Sequence, residues 1–407
     1  AMGHIALNAN TTGTSNVAIG FEASRLNTEG TGNVAVGYEA LEANTTGGVN
    51  VAVGYRALKV NTTAGNNVAI GYSALCTNTT GAQNVAVGTN ALEANTTADN
   101  NTAVGYLALC ANTTGCLNTA VGVCSSCAMT TGQQNISMGG SSLIANTTGS
   151  RNSALGMSSL AANTTADDNA AVGHGALSTN TDGHSNTAVG RAALQANTTA
   201  DENVAVGFQA LNSVTTQGAM TAVGTCALKN TTGAQNTGFG YKALTTNSSG
   251  QCNTALGLCA LTANTSASYN TAVGHSSMLK TTTGFANTAM GLFSMACNTT
   301  GDAHVAIGYE SLLNNTTADN NIAIGCKAMR ANTTGHSNTA IGILALDANT
   351  TANSNTAVGF CALSSNTTGA SNTAIGHNAM YEGTTTGDFN TMVGVSSGRK
   401  MTSGTQN

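Results

Sequence analysis

Three features of the sequence predict an all-β fold, a parallel β-solenoid with a 17-residue coil. The first is repetition: "NVAVGYEALEANTTGGV" from residue 33 is followed at once by "NVAVGYRALKVNTTAGN", and the pattern runs on through the chain. The second is the absence of proline from 407 residues. Average usage would supply roughly twenty, and a chain without it keeps nearly every backbone N–H as a donor for a ladder. The third is the grammar of one repeat. A short β-rich run ends at Gly, and Asn-Thr-Thr turn chemistry follows, which leaves no space for a helix of three turns.

The Gly of "AVG" marks the beat. It recurs every seventeen residues from Gly3 through Gly20, Gly37 and Gly54 to Gly224. One residue is lost before Gly240, the beat resumes to Gly376, and one residue is gained before Gly394, which makes twenty-four anchors. Self-similarity of this kind identifies a repeat architecture before any local propensity is weighed. Residues 1–407 therefore read as a single solenoid domain of about 24 coils, with a deletion defect near 214–239 and an insertion near 377–393. At about 4.8 Å per coil, the predicted rod is roughly 115 Å long. The repeat reaches almost to both termini, as expected of a segment from a longer protein.

Each place in the repeat has a reason. Asn16, Asn33, Asn50, Asn67, Asn84 and Asn101 open successive repeats, where a stacked amide can bond the turn and the Asn one coil away, forming a ladder. An apolar residue stands just before every anchor Gly and Leu or Met four after most of them, so those columns are expected to form the interior. The place two before the Gly is Ala in 21 of 24 repeats. Strand side chains alternate in direction, so this Ala is expected on the opposite face, packed against another chain. The deletion is expected to be absorbed by a tightened turn near Lys229–Asn230, with Phe239 filling the space left where Gly238 replaces Ala.

Composition narrows the function. Only 7% of residues are charged, the net charge is −5, and the charges are scattered. That leaves no electrostatic footprint for nucleic acid or an anionic membrane, and no apolar run is long enough to span a bilayer. The sequence offers no catalytic group in a credible setting: the histidines in the place after the Gly (His4, His174, His275, His377) lie six or more coils apart. Neither a metal site nor a cofactor is expected. The acids of "TTADNN", "TTADDN" and "TTADEN" do not converge as calcium requires and read as solvated charge.

Two candidate sites remain. Phe21, Tyr38, Tyr55 and Tyr72 follow the anchor Gly in four successive coils, a row able to stack on sugar rings or on itself. Among the eleven cysteines, Cys110 and Cys127 share one place in adjacent coils. That spacing suits a disulfide, with two free thiols as the alternative. The repeated "NTT" is also a glycosylation signal, but a glycan on every coil of one column would not fit.

At "NVAIG" (16–20), "NVAVG" (33–37) and "NTAVG" (101–105) the chain resembles the head repeats of trimeric autotransporter adhesins. It is also similar to the "NTAVGYxALxxNTTG" arrays of phage and virus tail-fibre proteins. The resemblance implies a left-handed parallel β-roll, three identical chains about one axis, and adhesion or receptor display. This repeat is longer than that of the adhesin head, with "NTTG" inserted where the family turns tightly. The expected function is a structural fibre or adhesin shaft on a virion or cell surface, not an enzyme. Its expected partners are its own copies and a cell-surface glycan or receptor, with neither nucleic acid nor membrane insertion. The rival is an ice-binding solenoid using Thr columns, and the remaining alternative is another extracellular scaffold filament.

Overall fold

The computed structural model describes residues 1–382 and 386–404. It is a parallel β-solenoid with seventeen-residue spacing, made of twenty-three strands of three residues and no helix among the described residues. The first anchor, Gly3, belongs to a coil whose strand pairing is reduced to a single β-bridge, Met2 to Ile19, so the strands number one fewer than the anchors. The chain divides into two compact units, Ala1–Asn203 and Val204–Asn407. The first holds β1 (Val17–Ile19) to β11 (Thr187–Val189), and the second β12 (Val204–Val206) to β23 (Thr391–Val393). Within each unit every strand pairs in parallel with the next in sequence, as β1 does with β2 (Val34–Val36) through Val17↔Val34, Ala18↔Ala35 and Ile19↔Val36.

Backbone bonding between coils extends well beyond the strands. Val34, Leu41, Ala43 and Thr45 donate their N–H groups to carbonyls one coil on, and Gly37, Glu39 and Val49 donate to the coil before. This use of donors all round the coil is the physical counterpart of a sequence without proline. The anchor Gly is required by geometry. Gly37 has φ +139°, and a Cβ there would lie 2.3 Å from the Gly54 carbonyl oxygen; only glycine enters that conformation readily. The second and fourth places after it are left-handed as well, at φ 53° for both Glu39 and Leu41. Branching at Cβ is disfavoured there, and the fourth place carries Leu or Met except at Ser24, Ser126 and Gly398, and never Val or Ile.

The interior corrects the expected inside–outside assignment. The strand Ala points inward and is fully buried, as at Ala35, Ala52, Ala86 and Ala103. The apolar residue before the Gly points out, with Ile19 40%, Ile70 40% and Val104 36% exposed. A three-residue strand turns only its middle residue inward, and beside a buried Leu that place ordinarily holds no more than a methyl group. The Leu four after the Gly is buried as expected, beside a second Ala and both Asn columns.

Interior volume is balanced within coils. Met392 takes the strand Ala place where Gly398 takes the Leu place, and a Cβ on Gly398 would lie 2.9 Å from Met392 Cγ. Near β8 (Ile136–Met138), Ser126 stands for Leu while Met129 stands for Asn, and both are buried. Ser125 and Ser126 each donate to Ser137 Oγ at 2.7 Å.

The short coil also departs from expectation. β13 (Thr221–Val223) and β14 (Thr237–Phe239) stay in register across sixteen residues. The missing residue is taken out between Thr231 and Gly233, not at Lys229–Asn230. Thr231 is fully buried in the Asn column and its Oγ1 accepts from Asn247 Nδ2 at 2.9 Å, while Asn230 is exposed. Phe239 points outward, 40% exposed. Leu228 occupies the space beside Gly238, its Cγ 3.2 Å from where a Cβ would be. The gained residue is passed without loss of register, Thr373 pairing with Thr391, although residues 383–385 of that coil lie outside the described set.

Candidate functional site

Each coil turns the first and third strand side chains outward. The third is Val, Ile, Leu, Met or Phe throughout, and the first is Val, Thr, Ile, Ser or Ala. Not one of these outward positions in β1 to β23 carries a charge. Exposed surface ordinarily collects Lys, Glu, Asp and Arg, so two charge-free columns in each unit are the most unusual surface feature of the chain. The units differ in detail: the first place is Val from β1 to Val85, but Thr in five consecutive strands from Thr221 to Thr288.

Beside this face runs the aromatic row. His4, Phe21, Tyr38, Tyr55 and Tyr72 stack in sequence with ring centroids 5.1 Å apart and planes within 5–9° of parallel. The ring faces are therefore turned to one another, and the inner rings present their edges to solvent. Sugar stacking needs a free face, which the row offers only at its two ends.

Next to the ladder lies a cluster of charges. Glu22, Glu39 and Glu42 bring carboxylate oxygens within 4.8 Å of one another, a spacing that would suit a cation. The positive charge is already supplied by side chains. Arg25 meets Glu22 at 2.9 Å and Glu42 at 2.5 Å, Arg56 meets Glu39 at 2.9 Å, and Lys59 meets Glu39 at 2.6 Å. Burial pushes the Glu39 carboxyl up, but bonds from Lys59 and Arg56 outweigh it and hold the group below its ordinary range. Arg56 also lies over the Tyr55 ring at 5.1 Å, tying the charges to the ladder.

The Asn residues occupy the interior. In the column of Asn16 to Asn101, each backbone N–H from Asn33 onward donates to the Oδ1 one coil back, as Asn33 does to Asn16 at 2.9 Å, while Asn33 Nδ2 donates to the Gly47 carbonyl at 2.8 Å. The second column links amide to amide, Asn95 Nδ2 to Asn78 Oδ1 at 2.9 Å. Ladder asparagines such as Asn44, Asn61 and Asn95 are fully buried, so the "NTT" signals at those positions have no accessible acceptor in the folded chain.

All eleven cysteines are free thiols in the structure. Cys110 Sγ donates to the Cys127 carbonyl at 3.3 Å. Burial first, then the neighbouring Cys127 and Cys124, push the Cys110 thiol up to about 11, which keeps it protonated and poorly nucleophilic at neutral pH.

The acids that sequence reading assigned to solvent have a specific structural role. Asp99, Asp167, Asp201, Asp302 and Asp319 each accept the backbone N–H of the equivalent residue one coil back, at 2.6–2.8 Å. Ser150 and Ser268 do the same with hydroxyls. The signal was available in the fixed place these acceptors hold after "NTT(A/G)". Comparison of the sequence with known protein families and with curated proteins finds no match.

Proposed function

We propose that this chain is a structural shaft of a fibre or adhesin, displayed on a cell or virion surface and assembled as a homotrimer of left-handed rolls. The carrying observation is the charge-free outward strand face. The eleven strands of the first unit each add two outward, partly exposed and uncharged side chains to this face, where a standard stable interface needs roughly 800 Å² per partner. A face of that polarity is suited to meeting copies of itself, and the aromatic row at its margin would extend the contact. Receptor or glycan attachment would then fall to exposed loops or ladder ends and not to the buried strand face. Sizing by multi-angle light scattering at micromolar concentration tests the reading. A mass three times the 40.2 kDa chain is expected, and a monomer would overturn it.

The outward Thr run from Thr221 to Thr288 favours a second reading, an ice-binding face, because a column of hydroxyls beside an apolar column resembles a lattice-matching surface. The apolar column there includes Phe239, Leu256 and Met290, whose unequal sizes spoil a flat plane. Thermal hysteresis separates the two readings: a shaft has none, and an ice-binding face retards ice growth.

A further inference from the structure

His304 stands where nearly every other coil has the first Asn of the repeat, and it reproduces the amide's bonds with a ring. It is 1% exposed. Its backbone N–H donates to Asn287 Oδ1 at 2.9 Å, continuing the ladder from the coil before. Nδ1 accepts the backbone N–H of Asn321 at 3.1 Å, as an Asn Oδ1 would. Nε2 lies 2.6 Å from the Ala318 carbonyl oxygen, the bond that Asn Nδ2 makes elsewhere.

These partners fix the tautomer. A backbone N–H can only donate, so Nδ1 is the bare nitrogen and the neutral ring carries its proton on Nε2, facing the Ala318 carbonyl; Asn315 Nδ2, 3.1 Å from Nε2, has Asn298 Oδ1 and the Ala318 carbonyl as acceptors for its own two hydrogens. We propose that His304 is an acid-sensitive link in the asparagine ladder, whose protonation at Nδ1 opens the contact between the coils containing His304 and Asn321. With a proton on Nδ1, the ring sets a donor against the Asn321 N–H, in the place where it had accepted that bond. An amide cannot do this, since Asn has no charge to gain near neutral pH.

The surroundings fit the direction. Burial lowers the affinity of the ring for a second proton, and this outweighs its bonds to Ala318 and Asn321 and the charges of Asp319 and Asp302. Asp302 on its own coil and Asp319 on the next are the charged groups beside it; residues 284–301 of the preceding coil carry none. A histidine held neutral in the fold takes its proton more readily when unfolded. Its contribution is complete above the ordinary value of 6.5 and is lost as pH falls below that toward the lower folded value.

The test is native-state hydrogen exchange at pH 7 and pH 5, corrected for intrinsic rates, on the intact chain and on His304→Asn. In the wild type, protection of the Asn321 amide is expected to fall roughly tenfold or more relative to Asn338 over that range. Asn338 bonds an ordinary ladder Asn. His304→Asn restores the usual ladder residue, so it should fold and lose the acid effect. A second variant, Asp302→Asn with Asp319→Asn, should keep it. Equal protection of the two amides at both pH values would overturn the proposal. So would an acid effect that survives His304→Asn or disappears in the aspartate variant.

Discussion

The regular coils from Gly71 to Gly122 and the short coil from Gly224 to Gly240 solve one packing problem with different residues. In the regular coils an Asn, an Ala and a Leu fill fixed interior places. In the short coil Thr231 moves into the Asn place, Gly238 stands for Ala, and Leu228 leans into the gap. The outward column makes no such adjustment; it passes from Val223 to Phe239 to Leu256 without regard to size. Inside, the chain controls volume; outside, it controls charge alone. That contrast is the physical reason to read the outer face as an assembly surface and not as part of the fold.

The largest way to break the comparison is at the anchor, which both regions share. Gly105→Ala would drive a Cβ to 2.4 Å from the Gly122 carbonyl at φ +139°, and Gly224→Ala to 2.5 Å from that of Gly240. Each should cost about 3 kcal/mol or more, seen as a matching loss in thermal unfolding. A clearly milder effect in the short coil would mean that the deletion relaxes the stack more widely than its register suggests.

Next in size is a pair of neighbours on one strand. Ala103→Asp buries a carboxylate in a closed coil and should destabilise by about 3 kcal/mol or more. Val104→Asp, at a position 36% exposed, should cost roughly 0.5 kcal/mol or less within a coil. Denaturant unfolding of a dissociated chain distinguishes them, and the reverse order would restore the Val-inside assignment.

A smaller effect sharpens the contrast instead. Inserting one Ala between Lys229 and Asn230 regenerates "LKANTTG" and returns the exposed Asn230 to the ladder. Hydrogen exchange should then show residues 214–239 gaining about 1 kcal/mol of local protection, the worth of a typical buried hydrogen bond. No gain would indicate that Thr231 already serves as well as Asn. Smallest of all, Glu93→Gln, five places after the anchor Gly where other coils carry Arg25, Glu42 and Lys59, should shift the melting free energy by less than about 0.5 kcal/mol.

How much of this was legible follows from which residues carry position and which carry direction. The seventeen-residue beat, the strand ending at Gly and the buried Leu were readable because repetition and turn chemistry fix them. The direction of Ala103 and Val104 was not, because alternation says that neighbours differ but not which one is inside. The deciding fact is coil width, which depends on three left-handed places per coil occupied by ordinary residues such as Glu39, Leu41 and Val49. The aspartate caps were missed for a related reason. Asp99 and Ala82 are seventeen residues apart, and their bond exists only once the stack does. His304 was visible as a departure from the Asn column, but its ladder role needed the positions of Ala318 and Asn321.

The most direct test of the central claim joins assembly and folding in one sample: sedimentation equilibrium at micromolar concentration on the wild type and on Val87→Asp/Val104→Asp/Val121→Asp, with hydrogen exchange at the adjacent Ala86, Ala103 and Ala120. The wild type should sediment at three times the 40.2 kDa chain mass. The variant should fall to the single-chain mass while those strand amides stay protected. A wild type already at the single-chain mass would contradict the account, as would a variant that remains trimeric or loses strand protection as it dissociates.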